Sequence, residues 1–323
     1  MRLHREINLI EKIVLVDGLS RTGKSMLGPI FASFEQVEIE RVEAIFEYIP
    51  FLDSIRKIER DAAVELLLLE ADTKLYESRI GRNTNFRIAD HSGVFNNPFK
   101  WEYFKRLFQK GTTAVVNDVR KNKTIFQVQT HDVLGIIDPY FDAFDNKIYI
   151  LEMVRDPIDL IYSWFQRGWG HRFTSDPLSF TLTIKTESGI APWYDMLIDY
   201  RYNSLKPMDR IIMIIDALQQ RSLKKYNELG NNRKRQILWI VFEDFVTKPE
   251  ESLLRIESFV GTKRTKYTRQ AMKKANCPRR LNMNDHKKKE KVIKSYASPE
   301  IFNKIESMYE WYKKMKEISE IGS

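Results

Sequence analysis

The residues best able to do chemistry begin at Asp17-Gly18-Leu19-Ser20-Arg21-Thr22-Gly23-Lys24-Ser25. Gly18, four residues, then Gly23-Lys24-Ser25 is the spacing of a phosphate loop (P-loop). In such a loop, successive backbone N–H groups and the positive end of the following helix cradle an oxyanion. Arg21 and Lys24 add full charges there, and Ser25 adds a hydroxyl. A second constellation follows the apolar run ending at Val154: Arg155, then Asp156 as a helix N-cap, Pro157 in the first turn, and Ser163 eight residues after Arg155. If the segment is helical, that spacing is about two turns, so Arg155 and Ser163 can grip one phosphate together. The same residues also suit an ordinary strand–helix junction with Arg155 paired to Asp156 or Asp159. Histidine titrates near neutrality and can take a proton. Taken alone, a lone histidine such as His131, His91 in ADHSGVF or His171 in GWGHRF reads as structural, and His4 and His286 are expected at the surface.

Those groups need a scaffold, and the chain reads as alternating strands and helices. KIVLVDG (12–18), TTAVVND (112–118), KIYILEMV (147–154) and QILWIVFEDF (236–245) are apolar runs of strand length. Between them, VEAIFEYIPFLDSI and ELLLLEADTKLYESRI carry apolar residues three and four apart, as helices do. Near the C-terminus, SPEIFNKIESMYEWYKKMK reads as an amphipathic helix with Ser298 able to cap and Pro299 in its first turn. This order predicts an α/β fold: a three-layer sandwich with a central, mostly parallel sheet of the P-loop nucleotide-binding type and helices on both faces. No repeat or Pro/Gly/Ser-rich linker divides the chain, so residues 1–323 are expected to form one domain. The stretch 165–207 is aromatic and Gly/Pro-punctuated, and is expected to be a lid or acceptor-site insertion. Trp169, Phe173, Trp193 and Tyr194 would either line a pocket there or close a core.

Composition narrows the class. With 43% hydrophobic and 30% charged residues the chain reads as a globular protein, and no apolar run is long enough to span a membrane. Charges interrupt the apolar residues of MRLHREINLIEKIVLV, making it a poor signal peptide, and a cytoplasmic enzyme is expected. Cys277 alone excludes an internal disulfide framework. A net charge of +9 and a pI near 9.3 favour anionic partners. The excess in KKANCPRR (273–280) and DHKKKEKVIK (285–294) is either a solvated face or a functional anion surface, without the aromatic interleaving of a nucleic-acid stacking platform. An ATP- and magnesium-dependent small-molecule kinase would also use the loop, and Asp118 or Asp216 would then have to hold the metal. A non-catalytic nucleotide- or nucleic-acid-binding protein is a third reading.

Four segments, in order, resemble the sulfotransferases that use 3′-phosphoadenosine 5′-phosphosulfate (PAPS). SRTGKS (20–25) resembles their 5′-phosphosulfate loop, and the Arg155–Ser163 segment their 3′-phosphate motif. QTHDVLGIIDPYF (129–141) is similar to the Lys-Thr-His segment of the cytosolic branch, and VFEDFVTKPEESLLRIESFVG (241–261) to the stretch after a late strand. The resemblance implies a sulfuryl transfer from PAPS to a hydroxyl or amine, leaving adenosine 3′,5′-bisphosphate and needing no metal. It implies that Arg21, Thr22, Gly23, Lys24 and Ser25 surround the 5′-phosphosulfate and that Arg155 and Ser163 hold the 3′-phosphate. Lys24 would neutralise the leaving oxygens, and His131 would act as general base. Arg279 and Arg280 stand about where the family's C-terminal Arg-Lys-Gly clamp would fall. Glu40 or Glu43 could instead supply the base that the carbohydrate-directed branch places soon after the loop, if they are not simply exposed helix charges. His91, Trp169, His171 and Trp193 would belong to the acceptor site, for a small-molecule, carbohydrate or lipid acceptor. Gln129 stands where the cytosolic branch has lysine, and Lys24 where the family usually has threonine.

Overall fold

The computed structural model describes residues 1–90 and 92–321. Seven strands are present: β1 (Lys12–Asp17), β2 (Arg41–Val42), β3 (Ile125–Gln129), β4 (Ile148–Val154), β5 (Thr183–Thr186), β6 (Gly189–Pro192) and β7 (Ile237–Val241). Five of them form a parallel sheet in the order β2-β3-β1-β4-β7, with Val16 opposite Gln129, Asp17 opposite Glu152 and Val154 opposite Val241. β5 and β6 form a separate antiparallel hairpin inside 165–207.

The near-continuous apolar strands match a sheet covered on both faces. Alternation along β1 sends Ile13 and Leu15 into one core, beside the helices Arg60–Arg79, Asp138–Phe144 and Lys304–Ile321. Val14 and Val16 enter the opposite core, under the helices Lys24–Phe31, Pro249–Val260 and Thr268–Lys274. This is the expected helix–sheet–helix arrangement. A third core joins the helices Pro157–Gln166 and Pro207–Glu228 to Phe173, Ala191, Ile198 and Tyr202 of the inserted stretch. The aromatic residues of 165–207 therefore serve packing as well as any pocket.

Three local expectations fail. TTAVVND is not a strand but the start of the helix Thr113–Asn122, with Val115 and Val119 buried on one face. The third strand in sequence is instead β3, IFQVQ, whose two glutamines are both buried. The C-terminal helix is broken into Pro299–Phe302 and Lys304–Ile321. Ser298 does not cap it, because its hydroxyl donates to Asp209 Oδ2 at 2.7 Å.

The chain leaves β1 and reaches β3 on one side and β4 on the other, so a topological switch point lies at the carboxyl end of β1. Open parallel sheets bind ligands at such a point. Gly18, His131, Arg155 and Phe242 all lie within two residues of a strand's carboxyl end.

Candidate active site

The loop after β1 is shaped by residues that must take unusual backbone angles. Gly23 has φ 109°, and a Cβ there would stand 2.4 Å from the Phe242 ring. Glycine is the residue that fits both demands. Arg21 adopts φ 77°, a left-handed conformation that costs a non-glycine residue energy and is commonly kept at functional loops. Lys24 opens the helix Lys24–Phe31, whose first amides have no intrahelical acceptor.

This loop forms one wall of a cleft of about 690 Å³. Among the described residues, six cationic side chains line it (Arg21, Lys24, Arg155, Arg167, Lys274 and Arg279), and no Asp or Glu does. Arg155 Nη1 donates to Arg21 O at 2.8 Å, and Arg21 Nε donates to Ser163 Oγ at 3.1 Å. Arg155 and Arg279 both stack on Phe242, at 4.5 and 5.3 Å from the ring centre. Trp164 Nε1 ties the next helix to Ser20 O at 2.8 Å, and Asp156 caps that helix through the amides of Ile158 and Asp159. Burial, then the neighbouring Arg167 and Arg155, lower the Arg21 pKa. Uncompensated cations in contact are costly unless an anion joins them.

Lys24 is held differently. Its Nζ is buried and donates to Gly18 O at 2.5 Å and Leu19 O at 2.7 Å. Burial pulls its pKa down to about 8, and the carboxylates of Asp17, Glu152, Glu47 and Asp132 oppose that shift. Beneath it, Asp17 accepts from Thr130 Oγ1 and from the amides of Val133 and Leu134, each at 3.0 Å. Burial, then the charge of Asp17, push Glu152 well above the carboxylate range, and burial raises Asp17 too, opposed by the charge of Lys24 and by its hydrogen-bond donors.

At the other wall, His131 follows β3 by two residues, and its Nδ1 lies 2.6 Å from Glu47 Oε1 on the helix Ile45–Ser54. The carboxylate fixes Nδ1 as the protonated nitrogen and leaves Nε2 for other work. Neither Glu40 nor Glu43 holds this position. Glu40 is fully buried beside Gly28, before β2 and not on an exposed helix, and burial raises its pKa to about 8. Glu43, half-buried, is paired with Arg41 at 2.8 Å. Glu47 was missed because the spacing from the loop does not select it; only the fold of the helix Ile45–Ser54 against β3 does.

Other expected site residues divide. Ser25, Trp169 and Arg279 line the cleft, as do Gln129 and Arg167, the last absent from the sequence expectation. Thr22 is buried and turns its hydroxyl onto Leu19 O at 2.8 Å. Arg280 is exposed outside the lining, as is His171 beside Gly168. Trp193 also stands off the cleft, packed on Phe51 at 4.6 Å under the Arg221 guanidinium. His91 lies outside the described residues. His4 is exposed as expected, but His286 is half-buried, with Nε2 at 3.0 Å from Asp156 Oδ1 and 3.1 Å from the Tyr309 hydroxyl. The carboxylates a kinase would need are elsewhere. Asp118 sits on a helix and pairs with Arg79, and Asp216 faces Lys304 from the helix Pro207–Glu228. Among the described residues, no group of three or more His, Cys, Asp or Glu could hold a metal ion, and no helix is long and apolar enough to cross a membrane.

A search of curated protein sequences gives no significant match. Among solved structures, the sulfotransferase domain from the curacin biosynthetic pathway is similar at 12% identity and TM-score 0.48, over 93% of this chain and 98% of that one. The sulfotransferase domain from the Synechococcus PCC 7002 olefin synthase is similar at 12% identity and TM-score 0.47, over 96% and 98%. The family model for the sulfotransferase domain matches residues 11–319. That match takes in the loop after β1, the Arg155–Ser163 segment and the helices that follow them, and the chain belongs to the sulfotransferase family.

Proposed function

We infer that this sulfotransferase moves the sulfuryl group of PAPS to a hydroxyl or amine, and that residues 1–323 act as one catalytic unit. The observation that carries the reading is the joining of two anion cradles in one cleft. The loop with Lys24 and Ser25 offers one; Arg155 and Arg21, joined at 2.8 Å and lining the same cleft, offer the other, with Ser163 behind them, outside the lining, at 3.1 Å from Arg21 Nε. ADP or ATP would fill the first and leave the second without its charge; a 3′-phosphate suits it. Arg279, stacked on Phe242, would close over the nucleotide.

The loop amides and Lys24 neutralise charge on the bridging and leaving oxygens. The acceptor oxygen or nitrogen attacks sulfur in line, and the bond from sulfur to the bridging phosphate oxygen breaks. Its electron pair leaves with adenosine 3′,5′-bisphosphate. The acceptor proton passes to His131 Nε2, while Glu47 holds Nδ1–H and stabilises the imidazolium that forms. The strand ends that set these groups supply the positioning on which such transfers depend. Residues 165–207 would cover the acceptor: Trp169 lines the cleft, and the carbonyl of Phe180 accepts from Tyr48 OH at 2.8 Å, bridging the insertion to the helix that carries Glu47.

Thermal-shift titration with adenosine 3′,5′-bisphosphate beside ADP, each with and without magnesium, tests the reading. A magnesium-independent shift with the bisphosphate is expected. A shift with ADP and magnesium alone would overturn it.

A further inference from the structure

The net positive charge of this protein is carried by one segment. Residues 263–294 hold thirteen Lys and Arg against Asp285 and Glu290, so 13 − 2 leaves +11. The whole chain carries +9, so 9 − 11 leaves −2 for everything else. A solvated face of an ordinary protein intersperses both signs more evenly; here cations outnumber carboxylates thirteen to two. Within the segment, Arg264 pairs with Glu250 and Glu257, and Lys289 with Asp159 and Asp285. Among the described residues, the remaining eleven cations have no carboxylate within ion-pair distance. Lys287, Lys288, Lys291 and Lys294 are all exposed on the helix Met283–Tyr296, and Lys287, Lys291 and Lys294 follow the i, i+4, i+7 spacing of one face.

This surface is continuous with the cleft. Lys274 and Arg279, inside the same segment, line it. His286, in the first turns of the lysine-rich helix, touches Asp156, the neighbour of Arg155, and Lys289 reaches Asp159 on the same helix as Ser163. A charged chain lying on the exposed lysines would therefore meet the mouth of the site, where the field also raises its local concentration.

We propose that residues 263–294 form a docking surface for a polyanionic acceptor, an acidic glycan whose carboxylates lie along the lysine-rich helix while one of its hydroxyls enters the cleft. The proposal rests on the sulfotransferase reading of the site. That reaction needs a hydroxyl or amine, the surface needs repeated negative charge, and an acidic glycan carries both on one chain.

The test is equilibrium binding of polygalacturonate oligomers to the full chain saturated with adenosine 3′,5′-bisphosphate, with neutral dextran and a single-stranded RNA of equal charge as comparisons. Polygalacturonate is expected to bind and dextran not, and raising salt from 50 to 200 mM should weaken binding about tenfold or more. Combined Lys287→Glu, Lys288→Glu, Lys291→Glu and Lys294→Glu substitution should abolish binding, the four Lys→Gln changes should weaken it, and neither should change bisphosphate affinity. Radiolabelled sulfate from PAPS should appear on the oligomer. Binding unaffected by the four reversals, polygalacturonate no better than dextran, or RNA bound more tightly than polygalacturonate would overturn the docking proposal. Failure of the bisphosphate to bind at all would instead sink the sulfotransfer chemistry beneath it.

Discussion

Replacing Arg155 with alanine tests the proposed 3′-phosphate cradle apart from the loop. In the free protein Arg155 contributes one hydrogen bond, to Arg21 O at 2.8 Å, and a stacking contact 4.5 Å from the Phe242 ring. At about 1 kcal/mol for the bond and about 0.5–1 for the contact, the loss is about 1–2 kcal/mol, and relief of the repulsion on Arg21 offsets part of it. The chain should stay folded. Binding is a different matter, because a charge-assisted contact to phosphate is worth about 1.5–3 kcal/mol, or roughly 10–150-fold in Kd. Calorimetry with adenosine 3′,5′-bisphosphate should show that loss in Arg155→Ala. With adenosine 5′-phosphate, which lacks the 3′ group, the change should stay within about threefold, the cost of loosening the Arg21 carbonyl. Arg155→Lys keeps the charge without the planar fork and should fall between. Equal losses for both nucleotides would show that Arg155 merely supports the loop, and no loss for either would place the 3′-phosphate elsewhere.

Three further outcomes follow, two from buried charges and one from the exposed Arg167. Lys24, lowered to about 8, binds an anion only while protonated, so bisphosphate affinity should fall as pH rises through about 8, and Lys24→Met should remove that dependence. Glu40 is raised to about 8, so between its unfolded value of 4.5 and that point the folded state holds the extra proton and stability declines as pH rises. Glu40→Gln should therefore melt higher than the parent near pH 7, by roughly 3 kcal/mol at most, with little difference near pH 4.5; a pH-independent difference would contradict this. Arg167→Ala should weaken the 3′,5′-bisphosphate more than the 5′-monophosphate, since Arg167 crowds Arg21 beside Ser163. An unchanged ratio in calorimetry would remove it from the 3′ cradle.

What was legible in the sequence follows from the range of the interactions involved. The loop, β1 and the Arg155–Ser163 spacing are local: a glycine that must take φ 109°, a strand buried on both faces and an Asp–Pro helix start write themselves into neighbouring residues. Thr112–Asp118 misled because a short apolar run with paired valines has no decisive period, and the burial of Val115 and Val119 four apart appears only once the helix docks. β3 was hidden by Gln127 and Gln129, polar residues that the sheet tolerates because Gln127 donates to Gly28 O at 3.1 Å and Gln129 faces the cleft.

The proposed base and its carboxylate partner show the same limit more sharply. His131 and Glu47 are 84 residues apart, and nothing near either residue announces the other. Glu40 and Glu43, the residues that distance from the loop suggests, do not contact His131. Glu40 runs into the core before β2, and Glu43 is taken by Arg41. Only Glu47, placed on the face of its helix that meets the end of β3, reaches the histidine. A base chosen by distance from the loop is thus a statement about chain length. Which carboxylate meets His131 is decided by which helix face packs against which strand end, and that packing places Glu47 there.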